Sequence, residues 1–376
     1  MVSASPKRFR VLVVDDSAFM RKVLETIVNA DEQLHVIGQA KDGREAIALS
    51  ESLKPDVITM DLNMPHMDGL QATAHIMTNS PRPIVIVSSE TKEGAASTLK
   101  ALELGAIDFV TKPTSGIDLD MQSIKEEIVR KVRVAAKVRV VRTASRIANA
   151  VQTPSKGSLA SAGGAKPARP APSGSADLRF PVVVLAASTG GPATVMRLAP
   201  GFTRDFPAAV FLIQHMPASF TTQYALQLAE FTGIRVKEAE AGEVVQPGTL
   251  YICPGGQHLR VTPTGRIELD GATGRIDGYL PNIDVSMESV AAYAGAMSIG
   301  VVLTGMGGDG ARGARAIKNA GGLVLAQDEA TSVIFGMPAE AIQAGVVDQI
   351  LGIDDIYAAI EKRVLGLCRI QPVGAR

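Results

Sequence analysis

The stretch VVVLAASTGGP, Val182 to Pro192, decides how the chain is to be read. An apolar run rich in β-branched residues passes into Ala186-Ala187-Ser188-Thr189-Gly190-Gly191-Pro192. That order predicts a buried strand, a tight turn and a helix start at Pro192. Small residues on both sides let the backbone turn sharply, so Ser188 is lifted to the carboxyl end of the strand, where open α/β sheets place their ligands. Helix capping by Ser188 is the competing explanation on this stretch alone.

Working outward, 376 residues are too many for one core and suggest two or three domains. Hydrophobic residues make up 46% and charged residues 20%, a balance that excludes global disorder. Basic and acidic side chains number 38 each, so net charge gives no reason to expect nucleic acid or an anionic membrane as partner. Cys253 and Cys368 are far apart in sequence and form no metal or disulfide spacing, which suits a reducing compartment. The opening MVSASPKRFRVLVVDDS has no signal-peptide core, and no apolar run approaches the ~20 residues of a membrane span. A cytoplasmic protein without membrane insertion is expected.

Toward the N-terminus, strands are predicted at residues 10–14, 35–40, 57–60, 84–87 and 108–111, with helical spacing at 18–30, 43–52, 69–77 and 94–104. Such alternation implies a doubly wound parallel sheet. Asp15 and Asp16 close its first strand and Asp61 its third. Converging carboxylates of this kind form a hard-oxygen site suited to Mg²⁺. Lys112 follows the fifth strand, positioned to balance a phosphoryl charge, and Ser88 ends the fourth with a hydroxyl.

The segments VLVVDDS, DVITMDLNMPHMDGL, VIVSSE and GAIDFVTKP resemble, in order and spacing, the receiver domain of bacterial response regulators. The resemblance covers about residues 8–130. It implies that Asp61 is the phosphoryl acceptor, that Asp15 and Asp16 help hold Mg²⁺, that Lys112 contacts the acyl phosphate, and that Ser88 and Phe109 form a switch pair. The charge that phosphorylation adds, about −1.5 to −2, is enough to re-aim the loops on that face.

From Ile124 the pattern becomes a basic helix, IKEEIVRKVRVAAKVRVVR, with apolar positions at helical spacing, and its basic face is read as a solvated face leading into a linker. Residues 152–176 hold 19 Ala, Gly, Pro or Ser out of 25, no acid, and Leu159 as the one bulky apolar residue, a composition that predicts a flexible linker. The expected division is therefore a receiver domain at 8–130, basic helix and linker at 131–178, and a second domain at 179–370.

That second domain alternates again. Strands are expected at 182–187, 209–213, 235–238, 249–253, 298–303 and 323–326, with a β-hairpin around Pro263-Thr264-Gly265. Helices are expected at 218–231, 283–293, 310–319, 338–344 and 353–365. Three strand ends carry reactive groups: Ser188, His215 after AAVFLIQ, and Asp309 in the glycine turn after SIGVVL. Serine, histidine and aspartate at one sheet edge can act as nucleophile, base and orienting acid. His258, Asp284, Asp328 and Asp348 compete for the latter two roles. Gly305 to Gly310 also fits GxGxxG with Asp328 downstream, a dinucleotide signature, but the charge of Asp309 inside the turn would repel a pyrophosphate. The turn's N–H groups, Met306 among them, are better suited to a transient oxyanion.

The segments AASTGGP, IQHMPASFT, CPGGQHL, VVLTGMGGDGARG and FGMPAEAI, following a receiver, resemble the chemotaxis protein-glutamate methylesterases, the CheB family. The resemblance implies a Rossmann-like methylesterase domain with a hairpin insertion, joined by a linker to a CheY-like receiver. It assigns Ser188 as nucleophile, His215 as general base and acid, and Asp309 as the acid orienting His215, with Thr189 and Met306 in support. Ala186 departs from the glycine more usual in the family two residues before the serine. Implied too are phosphorylation-activated hydrolysis of glutamate methyl esters, glutamine deamidation, chemoreceptor substrates, a chemotaxis histidine kinase as phosphodonor, a monomer, and no cofactor in the catalytic domain. Two other classes remain: a response regulator whose output domain only binds, for instance DNA through the basic helix, and a nicotinamide-dependent oxidoreductase.

Overall fold

The computed structural model describes residues 8–89, 91–112, 121–138 and 180–370. Its N-terminal half runs β1 (Phe9–Val14), α1 (Ala18–Asn29), β2 (Leu34–Ala40), α2 (Gly43–Leu53), β3 (Val57–Asp61), α3 (Gly69–Asn79), β4 (Ile84–Ser88), α4 (Lys92–Glu103), β5 (Asp108–Thr111) and α5 (Met121–Ala135). The strands pair in parallel, in the order β2-β1-β3-β4-β5. Each of the first four helices starts where a short polar side chain, Ser17, Asp42, Asp68 or Thr91, accepts a backbone N–H of the first turn. The caps fix where each strand end releases the chain, and so fix where Asp15, Asp16 and Asp61 stand.

α5 differs from the solvated helix expected there. Ile128, Val132 and Ala135 are buried, and the helix packs on β5 and α1, so it closes the receiver's second face. The apolar positions at helical spacing seen in the sequence are the ones that pack, and lysines and arginines lie between them. The boundary expected at residue 130 falls inside this helix. Residues 139–142 of the basic segment and the Ala-Gly-Pro-Ser segment at 152–176 lie outside the described residues.

The C-terminal half runs β6 (Val182–Ala187), α6 (Gly191–Leu198), β7 (Ala209–Gln214), α7 (Ala218–Ala229), β8 (Arg235–Glu238), β9 (Thr249–Ile252), β10 (His258–Val261), β11 (Ile267–Asp270), α8 (Ile283–Ala294), β12 (Ser298–Val302), α9 (Ala311–Asn319), β13 (Leu323–Gln327), α10 (Met337–Gln343), β14 (Gln349–Leu351) and α11 (Ile353–Ile370). Seven strands form one parallel sheet, β14-β13-β12-β6-β7-β9-β8, and β10 pairs with β11 as an antiparallel hairpin. β6 lies at its centre with every side chain from Val182 to Ala187 buried. Each Val or Leu there contributes about 1.5–3 kcal/mol by leaving water, so the strand is anchored up to the residue before Ser188. The chain leaves β6 toward β7 on one side and returns later to β12 on the other, a switch point of the kind that opens a crevice at the strands' carboxyl ends. Among the described residues no helix is long and apolar enough to cross a membrane.

The two halves pack together. α4 lies on α6 and α7, and Leu99 and Leu102 join Phe220 and Tyr224 in one continuous buried cluster. The Phe109 ring of β5 stacks on Phe220 of α7, centroids 4.3 Å apart, and Gln227 donates a hydrogen bond to Glu103.

Candidate active site

Ser188, His215 and Asp309 follow β6, β7 and β12, three neighbouring strands. The backbone sets the first two in register: His215 N donates to Ala187 O, and Ser188 N donates to Thr304 O of the loop after β12. Gly190 adopts φ +77°, and a Cβ there would lie 2.5 Å from Val333, so only glycine makes the turn that leaves Ser188 at its tip. Gln214 braces the same turn by donating to Ser188 O at 2.9 Å.

His215 Nδ1 lies 3.0 Å from Ser188 Oγ, and its Nε2 lies 2.8 Å from Asp309 Oδ2. Asp309 is buried and its carboxylate accepts from Ile283 N at 2.8 Å and Asp284 N at 2.9 Å, the first turn of α8. The first-turn N–H groups, which have no partner within the helix, hold that carboxylate still. A carboxylate oxygen in that place accepts, so Nε2 is the nitrogen that donates, which leaves the Nδ1 lone pair facing the serine hydroxyl. The arrangement can therefore take a proton from Ser188 and hold the resulting imidazolium. Ser188 is partly exposed, and the His215 side chain retains 14% of its surface.

The competing residues are otherwise engaged. His258 is fully buried, with Nε2 2.7 Å from Gly274 O and Nδ1 accepting from Asn282 N. Asp284 accepts from Gly310 N and Gly313 N, bracing the loop that carries Asp309. Burial pushes its carboxyl up and the Asp309 charge adds to that, while the two N–H bonds oppose it. Asp328 binds Thr331, and Asp348 binds Lys318 and Val324 N.

Gly305 presses on the serine, since a Cβ there would lie 2.9 Å from Ser188 Cβ. Its carbonyl accepts from Gly336 N and Met337 N. The Met306 N–H belongs to the same trans peptide and so points away from those donors. Thr189 is turned elsewhere. Its hydroxyl donates to Asp108 Oδ2 of the receiver at 2.6 Å, and its carbonyl accepts from Thr304 Oγ1. Tyr279 is a residue that the sequence did not single out: its ring lies flat on His215, centroids 4.5 Å apart at 13°.

In the receiver, Lys112 Nζ lies 2.9 Å from Asp15 Oδ2 and 2.8 Å from Asp61 Oδ2. Carboxylate oxygens of Asp15, Asp16 and Asp61 lie within 4.8 Å of one another. Burial pushes the Asp61 carboxyl up, with Lys112 opposing. For Lys112 burial works against the charge, but its bonds to Asp61 and Asp15 prevail and raise it. Ser88 Oγ accepts from Thr98 at 2.7 Å on the strand beside Phe109. The Phe109 ring reaches the catalytic half through Phe220, while Asp108, its neighbour, is held by Lys131, which also binds Glu127 and Phe109 O.

Comparison with known proteins gives the same division. Residues 11–124 match the response regulator receiver domain, and residues 183–360 match the CheB methylesterase family. The chain is 44% identical over 363 residues to a protein-glutamate methylesterase/protein-glutamine glutaminase of Pyrococcus horikoshii, covering 95% of this chain and 94% of that one. It is 45% identical over 379 residues to protein-glutamate methylesterase/protein-glutamine glutaminase 2 of Nitratidesulfovibrio vulgaris, covering 93% and 98%. The solved catalytic domain of Thermotoga maritima CheB methylesterase is 38% identical over 49% of this chain and 98% of that one, with a TM-score of 0.47. With a receiver sheet ahead of a methylesterase sheet and relatives alike over nearly their whole length, the chain belongs to the family of protein-glutamate methylesterases/protein-glutamine glutaminases.

Proposed function

We propose that Ser188 is the nucleophile of a phosphorylation-controlled hydrolase acting on glutamate methyl esters and glutamines of chemoreceptors. The observation that carries this reading is the hydrogen-bonded chain Ser188–His215–Asp309 at three adjacent strand ends. Ser188 Oγ attacks the side-chain ester carbonyl while its proton passes to His215 Nδ1. His215 then returns the proton to the leaving methoxide, giving methanol and an acyl-serine. Water, deprotonated by the same nitrogen, releases the glutamate and regenerates Ser188. A glutamine follows the same course with ammonia leaving. The Met306 N–H suits the oxyanion of either tetrahedral intermediate, and Thr189 supports the loop that presents Ser188. Incubation with methylated receptor membranes is expected to yield methanol, and with glutamine-bearing receptors ammonia. Release of neither product would contradict the reading.

Control enters through Asp61, the phosphoryl acceptor, which takes its phosphoryl group from a chemotaxis histidine kinase. Asp15, Asp16 and Asp61 are an all-oxygen set that fits Mg²⁺, and that ion, when bound, neutralises charge on the transferring phosphoryl oxygens. Lys112 sits between Asp15 and Asp61, ready to pair with the phosphoryl group instead. Ser88 and Phe109 are the switch pair, and Phe109 touches the catalytic half directly. The Ser188–His215–Asp309 chain is assembled while the receiver covers Thr189 beside it, so control acts on access of a bulky protein substrate and not on assembly of the triad.

Asp108→Ala tests this arrangement. The change leaves the Thr189 hydroxyl without its acceptor only when the halves are docked, whereas Lys131 keeps Glu127 and Phe109 O in either state. An unsatisfied buried group costs about 1–2 kcal/mol, so basal methanol release without phosphodonor is expected to rise about five-fold or more. An unchanged basal rate would contradict access control at this interface.

A further inference from the structure

We infer that Tyr279 is a positioning residue for the general base, holding the His215 imidazole in its reactive plane and stabilising it once protonated; this rests on the catalytic reading of His215 given above. Two hydrogen bonds, to Ser188 and Asp309, fix where the imidazole nitrogens point but leave both faces of the ring uncommitted. Tyr279 covers one face at 4.5 Å and nearly parallel. Its hydroxyl end rests against Gly307, where φ is +89° and a Cβ would lie 2.2 Å from the oxygen, so the ring bridges the base and the glycine turn that carries Met306 and Asp309.

The segment behind Tyr279 is anchored at several points. Ile276 and Tyr279 exchange backbone hydrogen bonds, Asn282 Nδ2 donates to Ile276 O, buried His258 lies 2.7 Å from Gly274 O, and Asp277 pairs with Arg312. A ring so held resists tilting, and its π face attracts an imidazolium more than a neutral imidazole. The stack therefore matters most when His215 carries the serine proton. The charged groups around the pair are Asp309 at Nε2, Asp284 behind the Asp309 loop, and Arg130 of α5, which acts on the Tyr279 hydroxyl from the receiver side. Burial holds that phenol above its ordinary value, so the ring stays neutral where the enzyme works.

The test uses the full chain with phosphodonor and methylated receptor membranes, comparing wild type, Tyr279→Leu, Tyr279→Phe and Ser188→Ala across pH. Leucine keeps bulk and removes the π face. It is expected to lower kcat about three- to ten-fold with little change in KM, and to move the acid limb of kcat/KM about half a unit lower, because the imidazolium loses stabilisation. Phenylalanine is expected to retain both wild-type kcat and acid limb. An unmoved acid limb in Tyr279→Leu, at whatever kcat, overturns the inference, as does a Tyr279→Phe variant that behaves like Tyr279→Leu. Ser188→Ala separates the two levels: activity remaining in that variant breaks the catalytic reading itself, whereas its loss beside an unmoved Tyr279→Leu profile breaks the positioning role alone.

Discussion

Replacing Ser188 by alanine is expected to lower methanol release from methylated receptors by on the order of 10⁴-fold or more, at every pH and with or without phosphodonor. The magnitude follows from what is lost. Oγ is the atom that His215 Nδ1 faces at 3.0 Å, and no other described hydroxyl is hydrogen-bonded to that nitrogen. What survives is binding and the N–H groups of the turn, which act on water only weakly. The substitution leaves the fold intact, because the turn is held by main-chain bonds from Ser188 N and Gly191 N and by Gln214 on Ser188 O. Thermal unfolding within a degree or two of wild type, beside absent methanol, would be the expected pair of results. Retained release would place the nucleophile elsewhere.

Asp309→Asn is expected to be nearly as damaging, about 10³- to 10⁴-fold in kcat. The wild-type carboxylate accepts three bonds, from His215 Nε2, Ile283 N and Asp284 N. An amide offers one accepting oxygen, which the two backbone N–H groups of α8 compete to hold, and turns its NH₂ toward His215. Nε2 must then accept, the proton moves to Nδ1, and the serine faces a donor where it needs a base. The loss is therefore one of tautomer and not of position, and the check is kcat together with unchanged affinity for the receptor substrate. A variant within ten-fold of wild type would mean that Asp309 does not set the tautomer.

Much of this was legible in the sequence for a physical reason. Buried parallel strands are continuous apolar runs, and parallel sheets gather chemistry at their carboxyl ends, so VVVLAA, AVFLIQ and SIGVV announced where Ser188, His215 and Asp309 would stand. The acidic cluster of Asp15, Asp16 and Asp61 followed from the same rule. β14 did not, because three half-exposed residues at a sheet edge carry no periodicity. The apolar spacing of α5 was visible, but not that its stripe would be buried against β5 and α1 with Lys131 held by Asp108 and Glu127. Least legible were the pairs made by tertiary approach. Thr189 meets Asp108 across 81 residues, and Phe109 meets Phe220 across the two halves, with no local pattern in either partner. Tyr279 sits in GATGRIDGYLP, a stretch whose glycines and charges predict only a loop. Its value depends on which face of His215 that loop covers.

On the proposed reading, Ser188, His215 and Asp309 are already assembled and the receiver decides what reaches them. Methanol release from methylated receptor membranes, measured before and after addition of a phosphodonor for wild type and Asp61→Asn, tests that claim most directly. Wild type is expected to rise by about ten-fold, equivalent to ~1.4 kcal/mol of docking free energy, while Asp61→Asn stays at the basal rate. A wild type that does not respond, or an Asp61→Asn variant that rises equally, would contradict it.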